Sequence, residues 1–150
     1  MNIHQHGLNR SLVIHFRKRF PDARVDLKFD GYMFPKERPL ILFERMLNEF
    51  TIISKQREGV GTTYRFQVGL FANNSVELSI LEEELSRAFL FDEIDYYETM
   101  TDGEPYVCGK FKCLVTDVTP IYSDDITDKS EYHRVYFDIE IESLLRKRRG

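Results

Sequence analysis

A chain of 150 residues with 42% hydrophobic and 31% charged residues is long enough for one core, too short to expect two domains, and too apolar for wholesale disorder. Its net charge of −4 gives no general pull toward nucleic acid or an anionic membrane surface. No segment approaches the roughly 20 apolar residues of a membrane span and the N-terminus carries no signal-peptide-like run, so the sequence reads as a protein that stays where it is made.

Met1 to Gly7 is polar, with His4 and His6, and predicts a flexible start. After Asn9, a candidate cap, Leu12, Val13, Phe16 and Phe20 recur at helical spacing while Arg10, Arg17, Lys18 and Arg19 fill the other side. This predicts an amphipathic helix that ends before Pro21. Val25, Leu27 and Phe29 alternate with Asp26, Lys28 and Asp30 as in a strand, and Gly31 supplies a turn. Leu40, Ile41, Leu42 and Phe43 form a short apolar run suited to a strand buried on both faces. Thr51 to Gln56 is a further candidate strand. Gly59, Val60 and Gly61 read as a hairpin turn, with Arg57 and Glu58 on a polar projecting tip.

Tyr64, Phe66, Val68, Leu70 and Ala72 then alternate with their neighbours at the period of a strand. Asn74 with Glu77 three residues later fits a variant capping box, and a helix follows with Leu78, Leu81, Leu85, Ala88 and Phe89 on one side. Glu77, Glu82, Glu83 and Arg87 occupy its other faces. Residues 92–104 lose all periodicity and read as a long loop in which Tyr96 and Tyr97 are candidate partner contacts. Residues 107–119 read as one strand carrying Cys108 and Cys113 on opposite faces, hence as reduced packing residues. A polar loop follows over 120–131, then a half-buried strand in which His133, Val135, Phe137, Ile139 and Ile141 face inward and Asp138, Glu140 and Glu142 outward. A basic tail spans about 144–150, with Arg146 and Arg148. The expectation is one α+β domain over 1–150, a mostly antiparallel or mixed sheet of about five to six strands packed against two helices.

The residues for chemistry are sparse. Four scattered histidines and two cysteines lack the spacing of a zinc site, and no strained nucleophile turn is present. Gly59-Val60-Gly61 lacks the lysine and context of a phosphate loop. Asp124, Asp125 and Asp128 are the nearest approach to a cation site but lack the glycine and terminal glutamate of a calcium hand, so they read as a solvated loop or a partner contact. The reading is a protein that is not an enzyme and takes no cofactor or metal. Twelve Phe and eight Tyr are more than a small core needs, and predict aromatic subunit contacts.

With the elements in this order, the chain resembles the tail terminator or tail-completion proteins of long-tailed phages, of the minor capsid type that joins tail to head. The residues that carry the likeness are Pro39-Leu40-Ile41-Leu42-Phe43-Glu44, Ile53-Ser54-Lys55-Gln56 and Tyr64 to Ala72, then Gly109-Lys110-Phe111 and His133 to Glu140. The likeness covers about residues 8–142. It implies a virion protein that forms a ring, usually a hexamer, on the head-proximal end of the tail tube. There it would stop tube growth and dock a neck or head-completion protein, with DNA passing through its lumen without sequence-specific contact. Candidate interface residues on this reading are Arg57, Glu58, Val60, Tyr96, Tyr97, Asp124, Asp125, Arg146 and Arg148. The alternatives are a small nucleic-acid-binding module using the basic first helix and tail, and a small hydrolase with a site in the acidic loops.

Overall fold

A computed structural model describes residues 3–52, 59–99, 103–121 and 133–146. The chain forms α1 (Gln5–Arg19), β1 (Arg24–Leu27), β2 (Leu40–Arg45), β3 (Glu49–Ile52), β4 (Gly59–Phe71), α2 (Ser75–Phe91), β5 (Ile94–Thr99), β6 (Pro105–Phe111), β7 (Leu114–Ile121) and β8 (Arg134–Arg146). The class is α+β. The main sheet runs β1-β2-β4-β8-β7, with β3 also on β4, and β5 and β6 make a separate two-stranded ribbon. Among the described residues the β1–β2 pair alone is parallel and the other pairs are antiparallel.

The alternation in β4 and β8 decides which face is buried. Tyr64, Phe66, Val68 and Leu70 stand beside Ile141, Ile139, Phe137 and Val135 in register, and all eight are buried in one cluster with Leu12 and Phe16 of α1 and Leu85 and Phe89 of α2. Both helices therefore cover the same face. Phe16 sits at the meeting point, its ring 5.3 Å from that of Phe43 and 5.0 Å from that of Phe89.

The opposite face has its own small cluster of Leu40, Leu42 and Phe71. A parallel strand cannot be reached by a tight hairpin, and the return from β1 to β2 through residues 28–39 lays Tyr32 and Phe34 over this cluster. Gly69 makes the space: a β-carbon there would lie 2.7 Å from the Phe71 ring and 3.1 Å from that of Tyr136. The rest of this face is charged, with Arg65 bridging Glu49 and Glu140, and Lys28 beside Glu44.

Several expectations need correction. Residues 3–7 are not a loose start: α1 begins at Gln5, passes through Gly7, and is anchored by the buried Ile3, whose carbonyl accepts the Tyr64 hydroxyl at 3.0 Å. The expected loop over 92–104 contains β5, because Ile94 and Tyr96 alternate inward and β6 supplies a partner. The expected single strand over 107–119 is two strands in different sheets, separated at Lys112 and Cys113. Gly59 to Gly61 are ladder residues paired with Leu144 to Arg146, not a turn, and the start of the expected tail belongs to β8.

Candidate interaction surface

β4 and β8 pair over their full length, whereas β2 covers β4 only from Phe66 to Phe71. The remaining end of the β4–β8 pair is joined by β3, giving a three-stranded arm. β2 and β3 are one strand interrupted by a bulge: Arg45 pairs with Phe66 and Glu49 with Thr63, so three residues, Met46 to Asn48, oppose two. The Met46 amide donates to the Arg65 carbonyl at 2.8 Å, and Leu47 is thrown outward with 87% of its surface exposed.

Beyond the bulge, Phe50 pairs with Thr62 and Ile52 with Val60, which sets them on the side of the sheet that elsewhere meets the helices. Phe50 and Ile52 are nevertheless 63% and 56% exposed. A second exposed apolar group lies at the other end of the sheet, where Phe34 stacks edge-on against Phe71 at 5.4 Å next to the exposed Met33. Val60 and Phe71 are eleven residues apart on β4, about 35 Å at the usual strand rise. The two patches face different directions of approach.

The outer strands β1 and β7 each carry a device that hinders strand addition. On β1 the Val25 carbonyl is taken by Arg17 Nε at 3.0 Å. On β7, Pro120 lies in register with Val135 without an N–H, so its nitrogen points away from β8; Val118, two residues earlier, points the same way, and its amide donates to its neighbour Asp117 Oδ1 at 2.9 Å.

Of the residues singled out in the sequence, Val60 is half-buried within the arm. Tyr96 is no surface contact: it is fully buried, its hydroxyl accepts the His4 amide at 2.8 Å, and burial raises its pKa. Tyr97 is half-buried beside Lys18, whose Nζ lies 3.3 Å from its hydroxyl. Arg146 ends β8 in register with Gly59. Arg57, Glu58, Asp124, Asp125 and Arg148 lie outside the described residues, as do Asp128 and the strand residues expected at 53–56.

The basic face of α1 is engaged within the fold. Arg17 also reaches Asp26, and Arg19 reaches both Glu84 and Asp92. His15 Nε2 lies 2.8 Å from Asp92 Oδ2, so the C-terminal turns of both helices are tied at one carboxylate. Tyr32 donates its hydroxyl to Asp26 at 2.9 Å, and burial followed by that bond pushes its pKa up to about 12. Cys108 is exposed and Cys113 buried, and neither is bridged. Among the described residues no group of His, Cys, Asp and Glu is arranged to hold a metal ion, and no helix is long and apolar enough to cross a membrane.

An α+β protein with a mixed sheet, two helices on one face and a projecting three-stranded arm is as far as the fold defines a class. No family model matches the chain, and a search of curated proteins finds no significant match.

Proposed function

We propose that this chain is a structural virion protein that closes a hexameric ring at the head-proximal end of a phage tail tube, ends tube polymerisation and joins the tail to the neck. The observation that carries the reading is the pair of apolar patches at opposite ends of the sheet, Phe50 and Ile52 on the arm and Met33 and Phe34 over Phe71. A ring is closed by head-to-tail contacts, which require two different patches on each subunit. The resemblance in sequence supports the same reading, since the segments that carry it supply β2, most of β4 and the first half of β8. Its partners are then further copies of itself, a tail tube protein and a neck protein, with DNA passing through the lumen. The acidic residues Asp138, Glu140 and Glu142 lie on the face away from the helices, and Glu140 is held by Arg65.

Light scattering with electron microscopy, alone and mixed with polymerising tail tubes, tests the proposal. Rings that cap tubes and fix their length are expected. A monomer that leaves tube length unchanged overturns the reading, and tight, steeply salt-sensitive binding to DNA in its place would favour the nucleic-acid module.

A further inference from the structure

α2 is apolar on two opposite faces. Leu85, Ala88 and Phe89 are buried against the sheet, with Leu78 and Leu81 partly buried beside them. On the other side Val76, Ile80, Leu90 and Phe91 are 68%, 59%, 54% and 70% exposed. A helix that only covered a sheet would need polar residues there. At 3.6 residues per turn, positions 76, 80, 83, 87, 90 and 91 fall within an arc of about 100°. The two charged members of that stripe, Glu83 and Arg87, are themselves paired at 3.1 Å and largely exposed.

The order along the stripe is apolar, apolar, acid, base, apolar, apolar. Reversed, it matches itself with the charges exchanged. Laid antiparallel on a second copy, Ile80 meets Leu90, Val76 approaches Phe91, and each Glu83 meets an Arg87. A parallel arrangement would set Glu83 on Glu83 and Arg87 on Arg87. From this self-complementarity we infer that two copies of the chain pair through the outer faces of α2 about a two-fold axis passing between Glu83 and Arg87.

The same features argue against other occupants. A membrane-surface helix carries lysine and arginine along its flanks, whereas α2 is flanked by Glu77, Glu82 and Glu84. The stripe is neutral, with no excess charge to draw a strongly acidic or basic partner. Val76 and Phe91 are about 22 Å apart along the axis, so the contact is smaller than the roughly 800 Å² per partner of a standard interface and the pairing is weak and concentration-dependent. It is isologous, and so a different contact from the head-to-tail one of the proposed ring.

Sedimentation equilibrium of the full chain over a concentration series tests the pairing, in the wild type and in a Phe50→Asp, Ile52→Asp background that removes the arm contact. The Phe50→Asp, Ile52→Asp protein is expected to show a reversible monomer–dimer equilibrium, and the wild type the same pairing added to its ring contacts. Glu83→Arg and Arg87→Glu, each alone, make every 83–87 pair across the axis like-charged and weaken self-association by about tenfold or more. An equimolar mixture of those two variants restores it, because one copy then carries two arginines and the other two glutamates. The internal Glu83–Arg87 pair is lost in the mixture as well, so recovery reports only the contact between copies. Ile80→Asp, at a largely exposed position outside the buried cluster, also abolishes pairing while far-UV circular dichroism is unchanged. A Phe50→Asp, Ile52→Asp protein that stays monomeric, charge variants in that background that pair as well as their parent, or a mixture that recovers nothing each overturn the inference. Rings that form normally while the mixture fails would leave the ring reading standing.

Discussion

Tyr96 lies with its phenol directly against the bare α-carbon of Gly7. A β-carbon at that position would collide with the Tyr96 hydroxyl and come within 2.8 Å of Cζ and 3.0 Å of the Tyr97 carbonyl. The absence of a side chain in α1 is therefore what lets the β5–β6 ribbon seat on the helix, and a glycine that weakens a helix locally is retained for packing. Gly7→Ala should destabilise the protein by about 1–3 kcal/mol despite alanine's better helix propensity, lowering Tm by about 2–4 °C per kcal/mol for a chain of this size. An unchanged or raised Tm in calorimetry would show that the ribbon can move away at no cost.

One turn further along α1, Ser11 holds the same ribbon by its backbone. Its Oγ donates to the Gly7 carbonyl at 2.6 Å and accepts the Tyr97 amide at 2.8 Å. Ser11 is fully buried, so Ser11→Ala leaves the Tyr97 N–H without a partner, at a cost of about 1–3 kcal/mol. Native-state hydrogen exchange gives a sharper readout than Tm, because the Tyr97 amide should lose protection before the β4–β8 ladder does. Equal loss across the sheet would instead place β5 within the global unfolding unit.

The start of α2 shows how far local chemistry can be read from sequence. Asn74 accepts the Glu77 amide at 2.8 Å, as its residue type and spacing predict. The reciprocal bond is displaced by one residue: Glu77 Oε1 accepts the Asn73 amide at 2.8 Å and the Asn73 side chain at 3.0 Å. Asn74→Ala should cost about 1 kcal/mol, and Asn73→Ala less, since its main-chain bond survives. Equal losses in urea melts would mean that the Asn73 side chain is as much a part of the cap.

Where residues alternate over many positions, as in β4 and β8, the sequence showed both the element and its buried face. It failed where the deciding partner is distant. β5 looked like loop because Tyr96 and Tyr97 are adjacent and a register shift falls between them, so its period is broken. Residues 107–119 looked like one strand because nothing in Lys112 or Cys113 marks the change of sheet. The bulge at Met46 to Asn48 can be seen only once β2 and β3 are known to share β4. The outer stripe of α2 was readable in principle, since Val76, Ile80, Glu83, Arg87 and Leu90 follow steps of four and three, but the stronger inner stripe obscured it.

The two cysteines should separate cleanly in reactivity. Burial pushes the Cys113 thiol up to about 12, with Asp92 nearby adding to the shift, while Cys108 is exposed. Native protein treated with a thiol reagent near pH 8 should modify Cys108 alone, with Cys113 reacting at the rate of unfolding. Because the folded-state pKa of Cys113 lies above the unfolded value of about 8.5, its contribution to stability is intact below that pH and is lost as pH rises toward 12. Cys113→Ala should accordingly flatten the fall in stability over that window. A slope identical to the wild type's would assign the alkaline loss to other groups, such as Tyr32, which shares the direction of shift.

The arm gives the most direct handle on assembly. Phe50 and Ile52 contribute little to the core, standing 63% and 56% exposed, so Phe50→Asp with Ile52→Asp should change Tm by less than about 3 °C. If the arm is a subunit contact, two buried carboxylates at its centre are prohibitive, and ring formation should be lost rather than weakened. Replacing Thr51, which alternates to the opposite face of β3, provides the matched control: Thr51→Asp should assemble normally if the apolar face makes the contact. Rings from the Phe50→Asp, Ile52→Asp protein would exclude the arm as the contact, and loss of rings in both variants at an unchanged Tm would move the contact to the strand as a whole.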